Sequence, residues 1–251
     1  MPLCKTEAIV LRTRDLGETS KILTLFTDRY GKIAAVAKGA RRPKSRFGAS
    51  LDLFAHSNIV LYIKESRDLH LISESTLLNA FYGLREDVHR LGFASTVVEL
   101  VDRMVMRAER VPGLFPLLNG GLQALEKGKH PSLLLWALIL KIVSVLGYRP
   151  QLFACNSCGG PIEGKLAGFS SAQGGVVCQD CGRKGVAFTA IASETLKLLQ
   201  QLLADDFVVI RSLEIDTREG RRIAAIVTGF VGHCIEDHRP LSSVKFLEEL
   251  K

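Results

Sequence analysis

A chain of 251 residues with 47% hydrophobic content can bury a substantial core, and it is too apolar to be read as disordered. Its 33 Lys and Arg against 26 Asp and Glu give a formal charge of +7. The first fifty residues, with eleven cations and four anions, contribute all of it, and the other 201 hold twenty-two of each. So local a positive charge implies a polyanionic partner, with nucleic acid first, because neutralising phosphates releases counterions. A solvated basic rim is the plainer alternative.

Five β-like runs fill the first eighty residues, at 6–14, 21–27, 30–39, 53–64 and 68–78, separated by turn-rich breaks. The longest break is a basic loop after Gly39, interrupted by Pro43 and Gly48. Five short strands with one long connection suit an OB-type barrel or an SH3-like one. After Asn79 the period becomes helical. Val97, Leu100, Val101, Met104 and Val105 share one face of a helix over 96–105, and 114–125, 132–146 and 193–203 read as further helices. Ile223, Ile226, Val227, Phe230, Val231, Cys234 and Ile235 form a last stripe, which makes Cys234 a packed, inert thiol.

The run 133–147 is the most membrane-like, but it falls short of the roughly 20 residues that a span needs and contains Lys141, so it reads as a buried core helix. The first ten residues hold Lys5 and Glu7 and lack the apolar stretch of a secretory signal. Two Cys-x-x-Cys pairs and two single cysteines suit reduced thiols. A cytoplasmic protein is therefore expected.

Cys155, Cys158, Cys178 and Cys181 have the spacing of a tetrahedral zinc site, with nineteen residues between the pairs. Four thiolates leave no open position, so the expected metal, one Zn²⁺, is structural. A thiol–disulfide redox role is the competing reading. Gly159, Gly164 and Lys165 match part of a phosphate-binding loop, but Leu166 replaces the Ser or Thr that holds magnesium, and the segment lies between the cysteine pairs. The six histidines form no hydrolase motif, and His233 and His238 beside Glu236 and Asp237 read as helical neighbours. No catalytic residue is assigned. The candidate DNA contacts are Lys32, Lys38, Arg41, Arg42, Lys44 and Arg46 for phosphates, with Tyr30 and Phe47, placed at turn or loop positions, for base stacking.

Glu7-Ala-Ile-Val-Leu, Gly17-Glu18, Leu25-Phe26-Thr27, Gly31-Lys32, Ala37-Lys38-Gly39-Ala40-Arg41-Arg42 and Ser45-Arg46 together resemble the RecO family of bacterial recombination mediators. The likeness continues through the helices and paired cysteines to His238-Arg239-Pro240-Leu241 and Lys245-Phe246-Leu247. It implies an α+β protein: an N-terminal OB barrel over 1–80, then a helical domain over 81–251 that contains a zinc module at about 150–188. Some members of that family lack the cysteines. The resemblance further implies a non-enzymatic mediator that binds single-stranded and double-stranded DNA and anneals complementary strands. With RecR it would help RecA onto DNA coated by single-strand-binding protein. An RNA-binding or transcription-associated OB-plus-zinc module is the alternative, and a metalloenzyme acting on nucleic acid is a third reading.

Overall fold

Alternating side chains over the first eighty residues close into a barrel. In the computed structural model, which describes residues 3–63, 68–162, 164, 166–235 and 241–242, the strands are β1 (Leu3–Leu16), β2 (Ser20–Thr27), β3 (Gly31–Ala37), β4 (His56–Tyr62) and β5 (Leu69–Asn79). They pair in the order β1-β2-β3-β5-β4 and back to β1, with β3 and β5 parallel and every other pair antiparallel. This is the expected five-stranded OB-type barrel.

Every second residue points inward. Ala8, Val10, Leu23, Leu25, Ile33, Ala35, Ala37, Ile59, Leu61 and Ile72 form the barrel core. The fourth strand starts at His56 instead of 53 because a turn intervenes, in which the Ala55 amide donates to the Asp52 carbonyl.

Ile9, Leu11, Phe26, Phe54 and Phe81 face the other way, into the larger core of the helical part. That part begins with α1 (Gly83–Glu86) and α2 (Val88–Met104), followed by α3 (Leu114–Lys127) and α4 (Pro131–Val145). The second helix starts eight residues before the periodic stretch at 96, because Asp87 caps it by accepting from the His89 and Arg90 amides at 2.8 and 3.0 Å. The fourth is apolar on all sides and lies buried between neighbours, as its sequence implies. No helix among the described residues is long and apolar enough to cross a membrane.

A small sheet that sequence patterning does not announce follows: β6 (Leu166–Ser170), β7 (Gly175–Val177) and β8 (Thr189–Ala192), in the order β7-β6-β8, with the short α5 (Gln179–Arg183) between the last two. The chain ends in α6 (Ser193–Ala204), α7 (Phe207–Ile210) and α8 (Thr217–Cys234). Cys234 is buried on the inner stripe of the last helix, and burial pushes its thiol up to about 11, in keeping with an inert role. Residues 236–240 and 243–251, including His238 and the Lys245-Phe246-Leu247 motif, lie outside the described residues, as do 163 and 165 in the phosphate-loop look-alike.

Candidate nucleic-acid interface and metal centre

The loop between β3 and β4 is shaped by consecutive turns. The Arg42 amide donates to the Gly39 carbonyl at 3.1 Å and the Ser45 amide to the Arg42 carbonyl at 2.9 Å, with Gly39 at a φ of 72° that only glycine adopts without cost. Lys38, Arg41, Arg42, Lys44 and Arg46 are all exposed on it. Arg41 also ties the loop to the β1–β2 turn. Its amide donates to the Thr19 carbonyl at 2.9 Å, one guanidinium nitrogen donates to the Gly17 carbonyl at 2.9 Å, and another pairs with Asp15 at 3.1 Å. Arg41 is therefore an anchor before it is a phosphate contact.

Three other candidates are held by the fold itself. Phe47 is not on the surface: at 4% exposure it plugs the barrel core from the loop, where a one-turn 3₁₀ helix (Gly48–Leu51) follows it, and the Arg46 guanidinium lies over its ring, 5.3 Å from the centre. Tyr30 sits in the β2–β3 turn, at the opposite end of the barrel. It packs half-buried there, and a hydrogen bond to the Cys4 side chain, helped by burial, raises its phenol pKa. Lys32 points toward the helical part, where its ammonium pairs with the Asp102 carboxylate at 3.5 Å and donates to the Asp102 carbonyl, which leaves it little freedom for phosphate.

Two cations that the sequence reading passed over belong with the loop. Arg12 and Arg14 are exposed on the outer face of β1, two residues apart and close to the turn that Arg41 grips. Strand alternation was the available signal, since residues i and i+2 share a face. Among the described residues, Arg12, Arg14, Lys38, Arg42, Lys44 and Arg46 have no ion-pair partner. That end of the barrel thus presents six uncompensated cations.

In the sheet module, two turns bring the paired cysteines together. The Gly159 amide donates to the Cys155 carbonyl and the Cys155 amide to the Gly160 carbonyl, both at 2.8 Å, while the Gly182 amide donates to the Cys178 carbonyl at 3.0 Å. All four sulfurs lie within 4.8 Å of one another, close enough to share one metal ion. The donor set suits it electrostatically. Burial would raise the Cys155 thiol, but amide hydrogen bonds from Cys178, Cys158 and Ser157 outweigh it and bring its pKa down to about 6. Hydrogen bonds to Cys178 and Cys158 push Cys181 up to about 12, so the tetrad without a metal holds protons that a dication would displace.

Comparison with known families decides the lineage. Residues 1–81 match the model described as "Recombination protein O N terminal", and residues 85–243 match "Recombination protein O C terminal". The chain belongs to the RecO family. Relatives named DNA repair protein RecO include one from Pelotomaculum thermopropionicum, 38% identical over 99% of this chain and 94% of that protein. Another, from Nocardioides sp., is 37% identical over 98% of this chain and 99% of its own length, and one from Roseiflexus sp. is 33% identical over 98% and 86%. Family membership, the OB-type barrel and the cysteine cluster agree with the resemblance read from the sequence motifs.

Proposed function

We propose that this chain is a DNA-binding recombination mediator in DNA repair, with no catalytic residue of its own. It binds single-stranded and double-stranded DNA at the cationic end of the barrel and promotes annealing of complementary strands. With RecR it helps load RecA on DNA covered by single-strand-binding protein, acting in the cytoplasm at the nucleoid. The observation that carries the reading is the set of six exposed, unpaired cations gathered at one end of an OB-type barrel in a chain of this family. Annealing needs no nucleotide hydrolysis: neutralised phosphates lower strand repulsion, and base pairing supplies the driving free energy.

The division of labour follows the expected boundary near residue 80, with the barrel on DNA and the helical part as partner surface. The four cysteines would hold one Zn²⁺, which four thiolates favour. When bound, that ion supplies a closed structural cross-link. Cys155 and Cys158 position the first turn, and Cys178 and Cys181 position the start of α5.

The test is annealing of two complementary oligonucleotides without nucleotide, naked and coated with single-strand-binding protein, for the wild type and for the triple variant Arg42→Ala, Lys44→Ala, Arg46→Ala. The wild type should accelerate annealing. The triple variant, which keeps the Arg41 anchor and hence the fold, should lose up to about 0.7 in salt slope per removed contact on single strands. No acceleration by the wild type in either setting, or unchanged DNA affinity in a folded triple variant, would defeat the assignment.

A further inference from the structure

OB barrels commonly hold single strands by stacking bases on aromatic rings of the strand face and its loops. Here no exposed ring lies on β1, β2 or β3, the strands that adjoin the cations. The aromatic residues of 1–81 are Phe26, Tyr30, Phe47, Phe54, Tyr62 and Phe81, and none falls at a position outside the described residues. Phe26, Phe47, Phe54 and Phe81 are buried. Tyr30 and Tyr62 are half-buried: Tyr30 lies in the β2–β3 turn, at the other end of β3 from the basic loop, and Tyr62 lies at the end of β4, between Leu3 of β1 and Leu71 of β5.

The pairing register shows what occupies the outer face instead. Arg12 lies beside Thr24, Thr24 beside Ala34 and Ala34 beside Leu69; one row on, Arg14 lies beside Ile22, Ile22 beside Val36 and Val36 beside Leu71. Side chains directly opposite across strands share a face. Both rows therefore run from a cation across short or branched side chains, and the second meets a ring only at Tyr62, the partner of Leu71 on β4.

From this we infer that the barrel grips the sugar-phosphate backbone and leaves the bases outward, unstacked on protein and free to pair. The inference rests on the proposed DNA-binding function and specifies its mode. Phosphates are the common feature of single and double strands, so one surface of free guanidinium and ammonium groups serves both and reads no sequence. A strand held by its phosphates presents its bases to a complementary strand without first having to leave an aromatic platform, which is what an annealing factor requires. Tyr62, at the end of the second row, and the exposed Tyr82, at the start of α1, are the positions at which base stacking could contradict this mode.

The full-length protein should be titrated by fluorescence anisotropy with oligothymidylate and with an abasic strand of the same length, at one salt concentration. The affinities should agree within about threefold, because only phosphates are contacted, whereas loss of stacked bases would weaken the abasic strand by roughly tenfold or more and overturn the inference. Tyr62→Ala and Tyr82→Ala should each bind oligothymidylate like the wild type; a clear loss in either variant, still folded, would also overturn it. Permanganate oxidation of thymines gives an independent readout. Bound thymines should react as fast as free ones, and protection of them would count against outward bases. Should oligothymidylate itself fail to bind, the proposed function falls, whereas binding of oligothymidylate with rejection of the abasic strand sinks only the backbone mode.

Discussion

Gly31 shows how much one missing side chain can decide. It opens β3 at a φ of 63°, and a Cβ there would lie 1.8 Å from the Glu109 carbonyl oxygen, a backbone atom that cannot step aside. Next to it, the Lys32 carbonyl accepts from the Ala108 amide at 2.8 Å, so the segment joining α2 to α3 is zipped onto the barrel at this point. Gly31→Ala should cost about 2–3 kcal/mol, combining strain with separation of the two parts. Gly17→Ala is the control: its φ is 57° but nothing lies within 4 Å, so only the left-handed penalty of about 1–2 kcal/mol applies. Urea unfolding of both variants checks the ordering, and equal losses would contradict the clash. Asp87 offers a second case. Hydrogen bonds from the Arg90 and His89 amides hold its carboxyl below the usual range against the opposing effect of burial. A carboxylate with a depressed folded-state pKa stabilises above its unfolded pKa, and that contribution is lost as pH falls through the folded value. Asp87→Ala should therefore cost about 1 kcal/mol at neutral pH. The difference from wild type should shrink below a pH of about 4. A pH-independent difference would mean that the cap is not acting through its charge.

At the scale of elements, what the sequence made legible depended on how much of each pattern was local. The barrel strands could be read because alternation extends over seven to fourteen residues in four of them and each break carries turn residues. The β6-β7-β8 sheet could not, since strands of five, three and four residues are too short to show a period and take their place from the cysteine turns. Phe47 was misread for the opposite reason: a loop position suggests exposure, yet the ring, just before a single 3₁₀ turn, packs into the core. The cysteine tetrad was fully legible, because metal-ligand spacing is a short-range constraint. The buried cluster around it consists of Cys155, Val177 and Cys181, with Ile162, Cys178 and Val186 packed half-buried against it, few apolar groups to hold the two turns together, while the sheet itself packs on the larger core. One equivalent of zinc per chain is expected by metal analysis, and chelation or Cys155→Ser should open the segment around the turns to protease and lower the melting temperature, since metal binding of this kind is folding free energy. A metal-free preparation that melts at the same temperature and resists protease equally would refute a structural metal.

At the scale of the whole molecule, barrel and helical part are one folding unit. The larger core draws Ile9 and Leu11 from β1, Phe26 from β2 and Phe54 from the loop before β4, and packs them with the helices; the Phe26 and Phe115 rings stand 6.2 Å apart. The His56 ring, hydrogen-bonded to Glu7 at 2.8 Å, also lies edge-on to Phe115 at 5.7 Å. A barrel cut away at residue 81 would expose these four large side chains. At about 1.5–3 kcal/mol each the loss is roughly 6–12 kcal/mol, as large as the net stability of a typical domain. The stability of the cationic end thus depends on the helical part, which completes the barrel's outer packing. The full chain should accordingly unfold in one transition, with hydrogen-exchange protection of β1, β2 and α4 lost together, and a fragment of residues 1–81 should stay unfolded by far-ultraviolet circular dichroism. Two separated transitions, or a folded fragment that binds DNA as the whole chain does, would show instead that the barrel is an independent module and that the shared core contributes little to it.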